Sequence, residues 1–201
     1  MNVFGEQVQS TRAAQKRRTA ARIVEAAARL FAEHGFQNTT VRQIAAEAGV
    51  SVGAVMAVGD KESLLSLVYD QAIADRIPAP PEPAKAGAAQ PAVEYLAHYF
   101  DPFLGLFAEN DDLARAYFRT LARGRPENAA LGALRTLTEN NLTAAMVNAG
   151  MPEERARLGA QVMFAGYLGE LMLLAAGTTD HQQTAVRLRT IAAFVAAQEG
   201  N

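Results

Sequence analysis

The sequence predicts an all-α fold in two units, a small helix-turn-helix domain over residues 1–76 and a larger helical bundle over residues 77–201. Three observations predict it. Apolar residues recur at helical spacing through most of the chain, and no stretch alternates with the period of two that a strand needs. Capping pairs, Thr40 with Gln43 and Thr179 with Gln182, open such stretches, and glycines close them. Five of the eight prolines lie between Ile77 and Pro91, in IPAPPEPAKAGAAQP, where missing amide donors stop a helix and mark the boundary between the units.

With 201 residues, half of them hydrophobic, the chain can bury a substantial core. The absence of cysteine excludes disulfide frameworks, thiolate metal sites and cysteine nucleophiles, and it suits the cytoplasm, the expected location. The N-terminus lacks the apolar core of a secretory signal. The longest apolar run, Val162 to Gly177, is interrupted by Glu170 and falls short of the roughly 18 to 20 residues that cross a bilayer, so no membrane is expected as a partner. Charge is polarised: residues 1–61 hold eight Lys or Arg against five Asp or Glu, whereas the remaining 11 and 16 leave the rest acidic. A basic first third suits phosphate contacts, although a solvated basic tail would look similar.

Residues 1–17 are polar and aperiodic, with Arg12, Lys16, Arg17 and Arg18 clustered, which predicts a mobile arm running into a helix near Arg18. In that helix Ile23, Ala27, Leu30, Phe31 and His34 share one face, and Gly35 ends it. Thr40 and Gln43 open a second helix with Val41, Ile44, Ala45 and Ala48 inward, closed by Gly49. Ser51 caps a short third helix, SVGAVMA, whose side chains at 52, 53, 54 and 56 are small or slender enough to enter a major groove. Asp60 caps a fourth, with Leu64, Leu65, Val68 and Ala72 inward.

Beyond the prolines, helices are predicted over about 92–109, 111–123, 126–149, 153–176 and 179–198. Pro102 must kink or split the first of these, with Asp101 as a new cap, and marks a plausible moving element. Pro126 and Pro152 suit first helical turns. Seven of the fourteen aromatic residues crowd into residues 95–118, which needs either a thick core or a lined cavity.

From Arg22 to Leu65 the chain resembles the DNA-binding domain of the TetR family of bacterial regulators, through RIVEAAARLFAEHGFQNTTVRQIAAEAGVSVGAV and the closing KESLL. The shared residues include Phe31, Gly35, Phe36, Thr40, Ile44, Ala45, Ala48, Gly49, Val50 and Ser51. One stretch departs from the family: Met56 stands where a Tyr is usual, Val58 takes the core position of a Phe, and the intervening His has no counterpart because the stretch is one residue short. Both missing groups usually serve the DNA backbone, so either the arm recovers those contacts or binding is weaker.

The resemblance implies phosphate contacts from Thr40 and Lys61, which lie at helix starts, with plain capping as the alternative. Arg17 and Arg18 of the arm join them. Arg42 and Gln43 are candidates for base edges, unless Gln43 is engaged in its capping box, and Ser51, Val52, Gly53, Ala54 and Met56 face the groove. An apolar surface of this kind reads thymine methyls and shape. In the second unit the resemblance implies a pocket for a small apolar or aromatic effector, lined by Tyr99, Phe100, Phe103, Phe107, Tyr117, Phe118, Met146, Met163, Phe164 and Tyr167. Gly159, Gly166, Gly169, Ala156, Ala160 and Ala192, alongside Leu158, Val162, Leu188, Ile191 and Val195, suggest a two-fold dimer interface, or else interior packing.

Glu94, His98 and Asp101 share a helical face, yet no fourth ligand is evident, so neither a metal nor another cofactor is expected. No His stands near a nucleophile pattern, and no catalytic residue is assigned. The expectation is a homodimeric regulator, a repressor of a palindromic double-stranded DNA site released by its effector. A helical protein-interaction module, or an all-α enzyme using the aromatic cavity, are the competing readings.

Overall fold

Ten helices run through the residues described by the computed structural model, 3–79, 90–123 and 129–197, and no strand occurs among them. The first four are α1 (Val3–Asn38), α2 (Val41–Ala48), α3 (Val52–Met56) and α4 (Lys61–Ala74). They share a core of Ile23, Ala27 and Phe31 from α1, Ile44 and Ala48 from α2, Val55 from α3, and Leu64 and Leu65 from α4, all buried. The chain follows its local signals closely here. Thr40 accepts from the Gln43 amide, Ser51 from Ala54 and Asp60 from Ser63, so the first free amides of three consecutive helices are satisfied by the preceding side chain. Gly49 ends α2 at φ 62°, a left-handed conformation that a side chain would strain.

One expectation fails at the start. The arm is helical from Val3 onward, continuous with α1, because residues 3–17 contain no proline and are rich in good helix formers even though they lack an apolar stripe. Gly35 interrupts α1 at φ 77°, ψ 160°, where the sequence stops the first helix.

The other six helices are α5 (Gln90–His98), α6 (Asp101–Ala108), α7 (Asp111–Ala122), α8 (Ala129–Asn148), α9 (Glu153–Ala175) and α10 (His181–Ala196). Pro102 splits the expected helix into α5 and α6. Asp101 is not its cap: Phe100 occupies that position, and the Asp101 carboxylate instead joins His98 Nδ1 at 2.7 Å and Arg189 Nη2 at 3.2 Å. The cap of α10 also shifts by one residue, since Asp180, a carboxylate at the positive end of a helix, accepts from the Gln183 amide in place of the expected Thr179–Gln182 pair. Pro126, and most of the proline-rich stretch expected to part the two units, lie outside the described residues.

Helices α8, α9 and α10 pack side by side, α5 lies against α8 and α10, and α4 packs on α6, α7 and α8, which brings the first four helices onto the bundle. By length and hydropathy α9 alone among the described helices could cross a membrane, but here it packs between α8 and α10. Its glycines explain the fit. A β-carbon on Gly159 would come within 2.8 Å of Val195 Cγ1, and one on Gly166 within 2.7 Å of Ile191 Cδ1, so these positions hold α10 against α9 inside the chain. Ala156, Ala160, Leu188, Ala192 and Val195 are buried as well, so most of the small residues assigned to a dimer interface serve interior packing. Leu158, 61% exposed, and Val162 point outward, as does Phe194 of α10 at 64%.

Candidate nucleic-acid interface and a pocket in the bundle

Helix α3 has five residues, and their division between core and solvent defines the candidate interface. Val55 is fully buried and pins the helix to the head, whereas Val52 and Met56 are 43% and 52% exposed, Gly53 is exposed and Ala54 is half-buried. A short helix with one inward anchor and slender outward side chains has the shape that enters a major groove. Val58 packs against the core in the place expected for it. Arg17, Arg18, Thr40, Arg42, Gln43 and Ser51 are all exposed.

Hydrogen bonds narrow what these side chains can do. Gln43 Oε1 accepts from the Thr40 amide at 2.8 Å and from the Thr40 hydroxyl at 2.8 Å, while that hydroxyl accepts from the Gln43 amide at 3.3 Å. Both lone pairs of Gln43 Oε1 are therefore occupied, which leaves only its NH2 group to donate and excludes two-point pairing with adenine in this arrangement. Ser51 Oγ accepts from the Ala54 amide at 3.1 Å.

Lys61 has a different task from the one expected. Its Nζ lies 2.8 Å from Phe36 O, 3.0 Å from Thr39 O and 3.4 Å from Gln37 O, and 4.4 Å from the centre of the Phe36 ring. These carbonyls, at the end of α1 and just beyond it, can take all three ammonium donors, so in this arrangement Lys61 acts as a clasp between α1 and α4. Thr39, buried beside it, sets its hydroxyl 3.1 Å from Leu30 O and 2.9 Å from Gly35 O. Arg22 Nη2 donates to Ala48 O and ties α1 to the end of α2. Sequence reasoning missed these clasps because their partners lie 22 to 26 residues away.

In the bundle, the aromatic stripe is core. Tyr99, Phe100, Phe103, Phe107, Tyr117, Phe118, Met146, Met163, Phe164 and Tyr167 are all buried, and the rings meet one another. Phe100 stacks on Tyr167 at 4.3 Å between centres, Phe107 meets Phe118 at 4.9 Å, and Tyr117 stacks at 4.5 Å on Tyr69 of α4. Such spacings are those of rings in direct contact, with no room for a ligand between them.

A pocket of 270 Å³, half open to solvent, lies instead beside this core, lined by Asp70, Ile73 and Ala74 of α4, Ile77 just beyond it, Tyr117 of α7, and Leu131, Ala133, Leu134 and Leu137 of α8. Of the ten expected lining residues only Tyr117 borders it. Asp70, Ile73, Ala74 and Ile77 fall at i, i+3, i+4 and i+7, and this spacing, an acid within an apolar stripe, was the signal that could have found the site. Tyr117 Oη lies 3.3 Å from Asp70 Oδ1. Burial pushes the Asp70 carboxyl above the usual carboxylate range, opposed by the hydrogen bond from Tyr117, and burial likewise raises the Tyr117 phenol, which stays protonated.

Residues 23–58 match the family pattern of bacterial regulatory proteins, tetR family. Among solved structures, the chain is similar to a TetR transcriptional regulator from Rhodococcus sp. RHA1, with 17% identity, a TM-score of 0.67 and coverage of 92% of this chain and 98% of that one. It is also similar to TylP, a TetR regulator from Streptomyces fradiae, with 26% identity, a TM-score of 0.51 and coverage of 90% and 86%. No curated protein matches it.

Proposed function

We propose a specific task for this chain, which its helix-turn-helix makes a DNA-binding transcriptional regulator of the tetR family: it is a homodimeric repressor that reads a palindromic operator with α3 and lets go when a small apolar or aromatic effector fills the cavity between α4, α7 and α8. The observation that carries this reading is α3 itself, anchored by Val55 and presenting Val52, Gly53 and Met56 to solvent on a head whose first 61 residues carry a surplus of positive charge. Thr40, Arg42 and the NH2 group of Gln43 flank it on α2, and Arg17 and Arg18 on α1 supply phosphate contacts. Ser51 and Ala54 complete the groove-facing set.

Dimerisation has its support in Leu158, Val162 and Phe194, which border one surface depression across α9 and α10. A second copy seated there by two-fold symmetry sets two heads roughly 34 to 36 Å apart, one turn of duplex. The path from cavity to head is α4, whose last turns line the cavity and whose first residue, Lys61, clasps α1. An effector releases DNA by preferring the α4 position that misfits the operator.

Selection of bound sequences from a random duplex pool tests the reading: the expected product is a palindrome with half-sites one helical turn apart, bound less tightly as salt rises. Arg17→Ala with Arg18→Ala lowers the salt slope by about two, and Phe194→Glu yields a monomer in sedimentation. Failure to retain any duplex at low salt overturns it.

A further inference from the structure

The walls of the α4, α7 and α8 cavity are aliphatic, formed mainly by Ile73, Ile77, Leu134 and Leu137, and one corner alone is charged. That corner is Asp70. Among the described residues its one hydrogen-bond partner is the Tyr117 hydroxyl, and no Lys, Arg or His is paired with it. A carboxylate has about four acceptor positions, so beyond the Tyr117 hydroxyl Asp70 keeps acceptor capacity for a ligand in the pocket that it lines. Half-buried without an ion-pair partner, this carboxylate carries a desolvation cost that a cation beside it would offset, in line with the upward displacement of its titration by burial.

We propose that this cavity takes an effector combining a compact apolar body with a single positive charge, a protonated amine whose N–H groups donate to the Asp70 carboxylate while the body fills the space between Ile73, Ile77, Leu134 and Leu137. The proposal rests on the cavity being the effector site. Its volume of 270 Å³ sits just under the usual range of about 300 to 1,000 Å³ for small-molecule sites, which selects a ligand of one ring with a short branch. Coulomb attraction to Asp70, moderated by solvent at the open side of the pocket, favours the cation over an anion of equal shape and gives a neutral body only the apolar share of the affinity. The position of the charge also matters. Asp70 stands nine residues after Lys61 on the same helix, about 13 Å along its axis at 1.5 Å per residue, so a ligand drawing on Asp70 pulls the helix that clasps the head.

Three probes of nearly one shape test the assignment by calorimetric titration of the full chain: 4-tert-butylbenzylammonium, the hydrocarbon 4-tert-butylethylbenzene, and 4-tert-butylbenzoate. The expected order is ammonium at least tenfold tighter than hydrocarbon, the effect of about one charge-assisted hydrogen bond, and hydrocarbon tighter than benzoate. Asp70→Asn brings the ammonium to the level of the hydrocarbon and leaves the hydrocarbon within about twofold of its former affinity. Equal binding of ammonium and hydrocarbon to the unmodified chain, or a preference that survives Asp70→Asn, overturns the charge assignment and leaves the cavity reading standing. If none of the three binds, or if the cavity-filling Leu134→Trp leaves their binding unchanged, the effector cavity falls and this proposal with it. Should Asp70→Asn fail to fold, the order of the three probes on the unmodified chain decides alone.

Discussion

The turns of the first four helices are fixed by side chains that reach backbone atoms: Thr40, Ser51 and Asp60 on amides, Lys61, Thr39 and Arg22 on carbonyls. The last six helices are joined by rings, with Phe100 on Tyr167 and Phe107 on Phe118, and Tyr69 of α4 adds its ring to the same group. The difference follows from what each region must present. A head proposed to offer α3 to a groove is positioned by directional bonds at its turns as well as by its small core, each bond pointing one way. A bundle with room for a core is held by area, which tolerates repacking around a cavity such as the one at Asp70.

The sharpest way to break that contrast is Phe107→Ala. Phe107 is buried and meets Tyr69 at 5.6 Å, Tyr117 at 6.3 Å and Phe118 at 4.9 Å, so its removal should destabilise the chain by about 3 to 5 kcal/mol in urea unfolding. The folded fraction should still bind DNA with its former affinity, since no ring of this group reaches α3. A loss below about 1 kcal/mol would mean that the rings are not what holds the bundle.

Lys61→Met tests the other side. The methionine keeps the stem over Phe36 but leaves three carbonyls without a donor, and the expected loss is about 1.5 kcal/mol or somewhat more. Stability should fall at high salt as well as low, and the salt slope of DNA binding should stay as it was. A phosphate ligand would behave in the opposite way, with unchanged stability and a slope smaller by about one.

This pair of residues also explains how much of the molecule is legible in the chain. Thr40, Ser51 and Asp60 announce helix starts because cap and capped amide lie three residues apart, inside any reading window. Gly49 and Pro102 are equally local, one ending a helix and the other splitting one. The clasp of Lys61 and the stacking of Tyr69 on Tyr117 join residues far apart in sequence, and nothing near either partner names the other. The expected pocket went astray for the same reason. Aromatic density shows where bulk is concentrated, but whether rings enclose space or fill it depends on partners from α4 and α9. The local sign of the actual cavity was smaller, one acid at Asp70 in register with Ile73, Ala74 and Ile77. The basic arm misled in the opposite sense, since the lack of an apolar stripe in residues 3–17 says nothing against a helix.

The smallest expected change in stability belongs to Gln43→Glu, and it separates two roles that one side chain holds. As the third residue of α2, a glutamate keeps the capping box, because its carboxylate accepts from the Thr40 amide and hydroxyl as Gln43 Oε1 does, and its charge suits the helix start. Unfolding should therefore shift by no more than about 0.5 kcal/mol, in the stabilising direction. What disappears is the NH2 donor, the one part of Gln43 still open to the proposed DNA contact, and a negative charge takes its place on the surface proposed to meet phosphates. DNA affinity should drop by about tenfold or more at low salt, within the range of one lost base or phosphate contact. If duplex binding stays as it was, Gln43 belongs wholly to the directional scaffold of the head, and sequence reading by α2 passes to Arg42 alone.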